Sequence, residues 1–342
     1  MSIDIMKGFN LDLHISVITD VIDILTRIDT TIEITSWNMS GHSWVLKRHA
    51  TNVEIITPPE WEDLTKERIA AFQNKYDHIL STFDFFVAAH PNAFAMIYEK
   101  YGKPIILVNS CRYDMPYCWT RNLNMLSEWN DCLLRLHQKN LLTIFSNNRA
   151  DAMYTKMALP DITPRIVPSL CLYTGMNWTP TNQTKFLVYS GSMPSHPLIV
   201  HREQIGRFDW SHLMAYRGII HFPYEISTMS IFEQISSGIP MFFPSKNYLS
   251  SMPLQSMYWH HKSSHHPPYF NGLNKSFWVE NADFYTFKFV YYFDSIRDLI
   301  KQLEVFNETP NIVEQRRVWL NTRKEEIFGE WKKFILYLRD FQ

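Results

Sequence analysis

Short apolar runs rich in β-branched and aromatic residues alternate with amphipathic stretches through the first half of the chain. His14-Ile-Ser-Val-Ile-Thr19 reads as a strand, with an amphipathic helix after it from Val21 to Ile28. Ile32-Glu-Ile-Thr35, Val53-Glu-Ile-Ile56, Phe85-Phe-Val-Ala-Ala89, Ile105-Ile-Leu-Val108 and Thr143-Ile-Phe145 read as further strands. Helical spacing fills Trp61 to Ile79, Ala93 to Tyr101 and Leu123 to Gln138. Short, almost wholly apolar runs suit strands covered on two faces. Strands that alternate with helices predict a parallel sheet whose functional loops lie at the carboxyl ends of its strands.

Between residues 160 and 185 the pattern breaks into Pro160, Pro164, Pro168 and Pro180 with Thr and Asn between them, which marks a connection between domains. A second strand series follows at Lys185-Phe-Leu-Val-Tyr-Ser190, Gly218-Ile-Ile-His-Phe222 and Met241-Phe-Phe243. From Asn311 the chain is charged and helical, with an apolar stripe at Ile327, Trp331, Phe334, Ile335 and Leu338. The expected fold class is α/β, with two Rossmann-like domains facing a central crevice.

The most informative stretch is Gly218 to Ser245. It predicts a buried strand, a loop holding Glu225, a short helix holding Glu233, a Gly238-Ile-Pro240 stop and another buried strand. Ser227 or Thr228 can cap that helix, and its free amides would offer a phosphate site at the strand ends. Two plainer readings stay open: Ser230-Ile-Phe-Glu233 also fits a capping box, and Glu225 also fits an ordinary surface acid.

Glu225 and Glu233, followed by Ser237-Gly238-Ile239-Pro240, resemble the E-x7-E pattern of retaining nucleotide-sugar glycosyltransferases of the GT-B fold. The resemblance implies an acceptor-side domain over 1–170, a donor domain over 171–312, and a terminal helix over 313–342 that packs back on the first domain. It implies that Glu225 lies by the donor sugar and that Glu233 accepts hydrogen bonds from the ribose. Gly191 and Ser192, in the turn after the first strand of the second domain, would offer an amide and a hydroxyl to the diphosphate, beside Ser227 and Thr228. The family also uses a basic pair there. Arg202 and Arg207 are the candidates, at a spacing that differs from the family's, and positive charge is needed because negative charge builds on the departing diphosphate.

In the first domain, Ser40, Gly41 and His42 follow a predicted strand and can hold a phosphate or sugar hydroxyl, or form a plain polar turn. His90 ends the Phe85 strand. A histidine there can bind a sugar hydroxyl or move a proton, as a catalytic residue beside Glu225, or merely close the strand end. Arg112 can pair with Asp114 or clamp an anion. His260, His261, His265 and His266 invite zinc, but adjacent histidines in a Pro-rich loop are more often solvated. No acidic DxD-type motif follows a strand, so neither a metal nor a cofactor is expected.

Composition narrows the partners. The 342 residues are 46% hydrophobic, and 33 Lys and Arg against 34 Asp and Glu leave a net charge of −1. Nothing favours a polyanion, so a nucleic-acid partner is unsupported. Cys111, Cys118, Cys132 and Cys171 form no CxxC, the N-terminus reads as no signal peptide, and no run approaches membrane-spanning length; a cytoplasmic enzyme is expected. The expected function is transfer of a sugar from a nucleotide-diphosphate donor to an unknown acceptor, retaining and metal-independent. The alternatives are an inverting GT-B transferase or epimerase, and a non-catalytic nucleotide- or glycan-binding protein. A dehydrogenase is disfavoured because no G-x-G-x-x-G follows a strand.

Overall fold

The structure, a computed structural model, describes residues 5–42, 46, 49–180, 183–191, 193–252 and 275–341. The chain divides into two compact units, the first running to Ser169 and resuming at Ile327, the second beginning at Leu170 and ending at Glu326.

The first unit is a six-stranded parallel sheet in the order β2-β1-β3-β4-β5-β6. Its strands are β1 Met6–Asp12, β2 Ile32–Asn38, β3 Phe85–Ala88, β4 Ile105–Asn109, β5 Leu142–Ser146 and β6 Arg165–Ile166. The longer helices between them are α1 Ile15–Ile28, α2 Lys66–Leu80, α3 Leu123–Gln138 and α4 Arg149–Ala158. Local chemistry sets their starts: Thr65, Asn122 and Asn148 each accept a hydrogen bond from an amide of the first turn. The core is aromatic, with Phe86 stacked on Tyr98 at 4.4 Å and Phe145 edge-on to Trp331 at 4.9 Å.

The second unit is a five-stranded parallel sheet in the order β11-β10-β9-β7-β8. Its strands are β7 Phe186–Ser190, β8 Ile199–His201, β9 Ile219–His221, β10 Met241–Pro244 and β11 Tyr291–Phe293. Its longer helices are α5 Met229–Ser237, α6 Ile296–Val305 and α7 Pro310–Phe341. Phe186, Ile220, Phe242 and Phe293 form the core, closed by Leu299 and Leu303 of α6. Both units therefore have the expected α/β, Rossmann-like topology.

Three local expectations are corrected. His14 to Thr19 is helical, not extended: it is the cap and first turn of α1, whose apolar face runs unbroken through Ile15, Ile18, Ile24 and Leu25. The first strand is instead Met6–Asp12, where Lys7, Gly8 and Asn10 mask the apolar signal. Gly8 is small because Phe85 of the neighbouring strand lies over it; a Cβ there would come within 2.4 Å of that ring. Val53 to Ile56 forms no strand, and Ile55 has a φ of 75°, incompatible with one. The helix expected from Trp61 begins only at Lys66, where Thr65 caps it. Helix α7 starts at Pro310, one residue before the helical stretch read from Asn311, and its part up to Glu326 belongs to the second unit, where it buries Arg316 and Arg323. From Ile327 its stripe of Ile327, Trp331, Phe334, Ile335 and Leu338 is buried in the first unit.

Candidate functional site

In a doubly wound sheet the chain leaves its first strand to one side and returns to the other, and the helices that follow part at that point to open a crevice at the strand ends. In the second unit this switch lies between β7 and β9. Ser190 and Gly191 end one strand, and His221 and Phe222 end the other. Gly191 has a φ of 80°, and a Cβ there would lie 2.4 Å from Phe222 Cβ. Only glycine fits. Gly191→Ala is expected to cost about 2–4 kcal/mol, from left-handed strain plus overpacking. Gly102→Ala in the first unit, with φ 61° but open space around it, should lose only the conformational part. Equal losses by chemical denaturation would discard the steric argument.

Beyond β9 the chain bends at Pro223 and exposes Tyr224, then buries Glu225, whose Oε1 accepts from the Ile226 amide at 2.8 Å. The surface-acid reading of Glu225 is therefore set aside. The Ser227 hydroxyl is buried with no hydrogen-bond partner among the described residues. Thr228 is the N-cap of α5, and its Oγ1 lies 3.2 Å from Ser230 Oγ rather than on a backbone amide. With Thr228 as cap, Glu233 is the fifth helical residue, two past the position a capping box requires. Its carboxylate instead accepts from Tyr173 Oη at 2.5 Å and from Trp210 Nε1 at 3.1 Å.

Arg202, just after β8, stacks its guanidinium over the rings of Tyr189 and Phe208 at 5.3 and 5.5 Å. Burial and the charge of Glu233 raise the Tyr189 phenol to about 12, while Arg202 and a hydrogen bond from Ser230 oppose them. Tyr189, Arg202, Ser230 and Glu233 thus share one electrostatic neighbourhood. Arg207 is exposed in the bend after Gly206. Ser192 and the four loop histidines lie outside the described residues.

Sequence reasoning missed the polar chain beneath this surface. His221 is buried, with Nε2 2.6 Å from Gln234 Oε1 and Nδ1 3.2 Å from Ser190 Oγ. Burial lowers its pKa to about 4, so the ring is neutral; Nε2–H donates to the amide oxygen and Nδ1 can accept from the serine. The chain ties the ends of β7 and β9 to α5 beside Glu233. His221 stood in the sequence inside an apolar strand, where only its neighbours in space give it meaning.

The first unit has its switch between β1 and β3, ended by Asp12 and His90. Asp12 is fully buried, and its two oxygens accept from the amides of His14 and His90 at 2.5 and 3.0 Å. Burial pushes its carboxyl up to about 7 against those hydrogen bonds. The sequence reading missed Asp12 because it began the first strand after it. His90 Nδ1 lies 3.6 Å from Cys111 Sγ, and burial with the neighbouring His14 lowers the ring to about 3. An imidazole that weakly basic suits hydrogen bonding better than proton abstraction.

Ser40 is buried after β2, receiving at Oγ the His42 amide at 3.1 Å, while its own amide donates to Asn38 Oδ1 at 2.8 Å. Gly41 and His42 are exposed, and a Cβ at 41 would meet nothing within 4 Å, so no described atom requires glycine there. Arg112 lies 4.0 Å from Asp151 of α4 and also stabilises the charge of Asp114. Asp114 accepts from Tyr154 Oη at 2.5 Å. Burial raises both acids, so Arg112 serves as the counter-charge of two carboxyls rather than of Asp114 alone. No group of three His, Cys, Asp or Glu suited to a metal occurs among the described residues.

No protein-family model matches the sequence, and no curated protein matches it. Among the solved structures that it resembles, that of the glycotransferase of kitacinnamycin aligns over 98% of this chain and 98% of that chain, at 10% identity and a TM-score of 0.45.

Proposed function

We propose that this protein is a glycosyltransferase that takes a sugar from a nucleotide-diphosphate donor, with the donor held at the switch point of the second unit. The observation that carries the reading is the pair Glu225 and Glu233: one carboxylate is buried between a strand end and a helix start, the other is presented on the second turn of that helix. Glu233 would accept the ribose hydroxyls. Glu225 would face the donor sugar. Gly191, Ser192, Ser227, Thr228 and the first amides of α5 would surround the diphosphate, with Arg202 and Arg207 supplying positive charge.

As the bond from the anomeric carbon to the diphosphate breaks, its electron pair passes to the phosphate oxygen. The acceptor hydroxyl then adds to the same face of the sugar, and its proton passes to the departing diphosphate, which gives retention without a metal. His90, at the switch point of the first unit, would hydrogen-bond a hydroxyl of a ligand bound there rather than take its proton, in keeping with its depressed pKa.

A thermal-shift panel of nucleoside diphosphates and nucleotide sugars tests the donor site. At least one is expected to raise the melting temperature of the wild type, and Glu233→Ala is expected to abolish most of that rise. A ligand bound at a hundred times its Kd stabilises by about 2.7 kcal/mol, well within reach of the measurement. A panel with no shift, or a shift that survives the substitution, would reject the assignment.

A further inference from the structure

The segment that opens the second unit is built against α5. The turn Leu172–Thr174 lies between Cys171 and Gly175, both left-handed at φ 52° and 63°. Ser236 Oγ donates to the Leu170 carbonyl, and the Trp178 amide donates to the Ser237 carbonyl at 2.7 Å. These contacts fix where Tyr173 stands. Trp210 is placed separately, as the first residue of the turn Trp210–Leu213, which Asp209 caps. The two rings meet edge-on at 5.6 Å, and each gives one hydrogen bond to a different oxygen of Glu233.

Two donors on the two oxygens of one carboxylate remove its rotation about the terminal bond and fix the plane in which it accepts. They do not exhaust it, since a carboxylate accepts about four hydrogen bonds. A vicinal diol on a furanose ring presents two hydroxyls at nearly fixed separation, so a carboxylate of fixed plane can meet both without losing further entropy.

We propose that Tyr173 and Trp210 are positioning residues that orient Glu233 for the 2′,3′-diol of the nucleotide, so that ribonucleotides are selected through residues that need not touch them. The inference rests on the nucleotide-donor reading above.

The test pairs variants with ligands. Wild type, Tyr173→Phe and Trp210→Phe are titrated calorimetrically with UDP, GDP, ADP and CDP and with the 2′,3′-dideoxy form of whichever binds most tightly. Removing one hydrogen bond to a charged group is expected to weaken the ribonucleotide about tenfold. The dideoxy nucleotide should bind each variant within about twofold of wild type, because the lost orientation serves only the diol. A variant that weakens both forms equally would show a structural role alone and overturn the proposal. So would unchanged or tighter ribonucleotide binding. If the wild type binds none of the four, the donor reading itself falls, a result distinct from the others. Should Tyr173→Phe fail to fold, as judged by circular dichroism, Trp210→Phe carries the same comparison from a different segment.

Discussion

Replacing Arg316 by alanine is expected to lower the stability of the second unit by about 3–5 kcal/mol, because it strands a buried carboxylate. Arg316 is 1% exposed, and the Glu308 side chain facing it is 3% exposed. One guanidinium nitrogen donates to Glu308 at 2.7 Å and to the Gly238 carbonyl at 3.0 Å, and the other donates to the second Glu308 oxygen. Glu308 also receives the Tyr291 hydroxyl at 2.8 Å. Gly238 is the left-handed residue that ends α5, so the cation sits at the negative end of the helix that carries Glu233. Arg316→Lys keeps the charge but loses the fork, and should recover only part of the loss. Denaturant titrations of the three proteins decide the matter. A loss below about 1 kcal/mol for alanine, the scale of an exposed pair, would mean that the site is far less enclosed than the geometry indicates.

Between pH 4 and 7 the wild type is expected to lose stability relative to Asp12→Asn by on the order of 4 kcal/mol, at 1.36 kcal/mol per unit of pKa difference. The sign follows from the direction of the shift. The Asp12 carboxyl is raised from 3.8 to about 7, so the folded protein holds a proton that the unfolded chain releases. That contribution is complete below pH 3.8 and is lost as pH rises to 7. His90 and His221, lowered to about 3 and 4, act oppositely and add stability over much of the same range. The two histidine shifts together exceed that of Asp12, so the wild-type profile should rise between pH 4 and 6.5, and that of the variant should rise more steeply. Asparagine cannot accept on both atoms from the His14 and His90 amides, so it starts from a lower stability, and the comparison is between slopes. Parallel profiles would show that the amides hold Asp12 ionised.

What each strand must accommodate from its neighbours explains which strands could be read from the sequence. Phe85–Ala88, Ile105–Asn109 and Met241–Pro244 are interior strands covered on both faces, so their apolar runs announce them. Met6–Asp12 is equally central, but it carries Gly8 to admit Phe85, and Asn10 and Asp12 to bind backbone groups of neighbouring segments. Those requirements arise only when the strands are side by side. Short edge strands such as Arg165–Ile166 bury too little to leave a pattern, as the exposure of both residues shows.

The candidate site divides in the same way. Local sequence was enough for the strand, loop and helix that hold Glu225 and Glu233, because the apolar positions of α5, Gly238 and Pro240 act within a few residues of one another. Contacts across long stretches of chain decided the rest. Tyr173 and Trp210 reach Glu233 from 60 and 23 residues away, and Arg316 reaches Gly238 from 78. Asp12 meets the His90 amide across 78 residues, and that burial, not its identity, sets its acidity. Short-range periodicity and helix-stop signals suffice for the alternation that makes two parallel sheets and for the spacing that sets Glu225 in the loop and Glu233 in the helix after one strand. Which groups orient those acids, and which carboxyl titrates near neutrality, was decided by the tertiary structure, because hydrogen-bond geometry and desolvation exist only once distant segments are packed together.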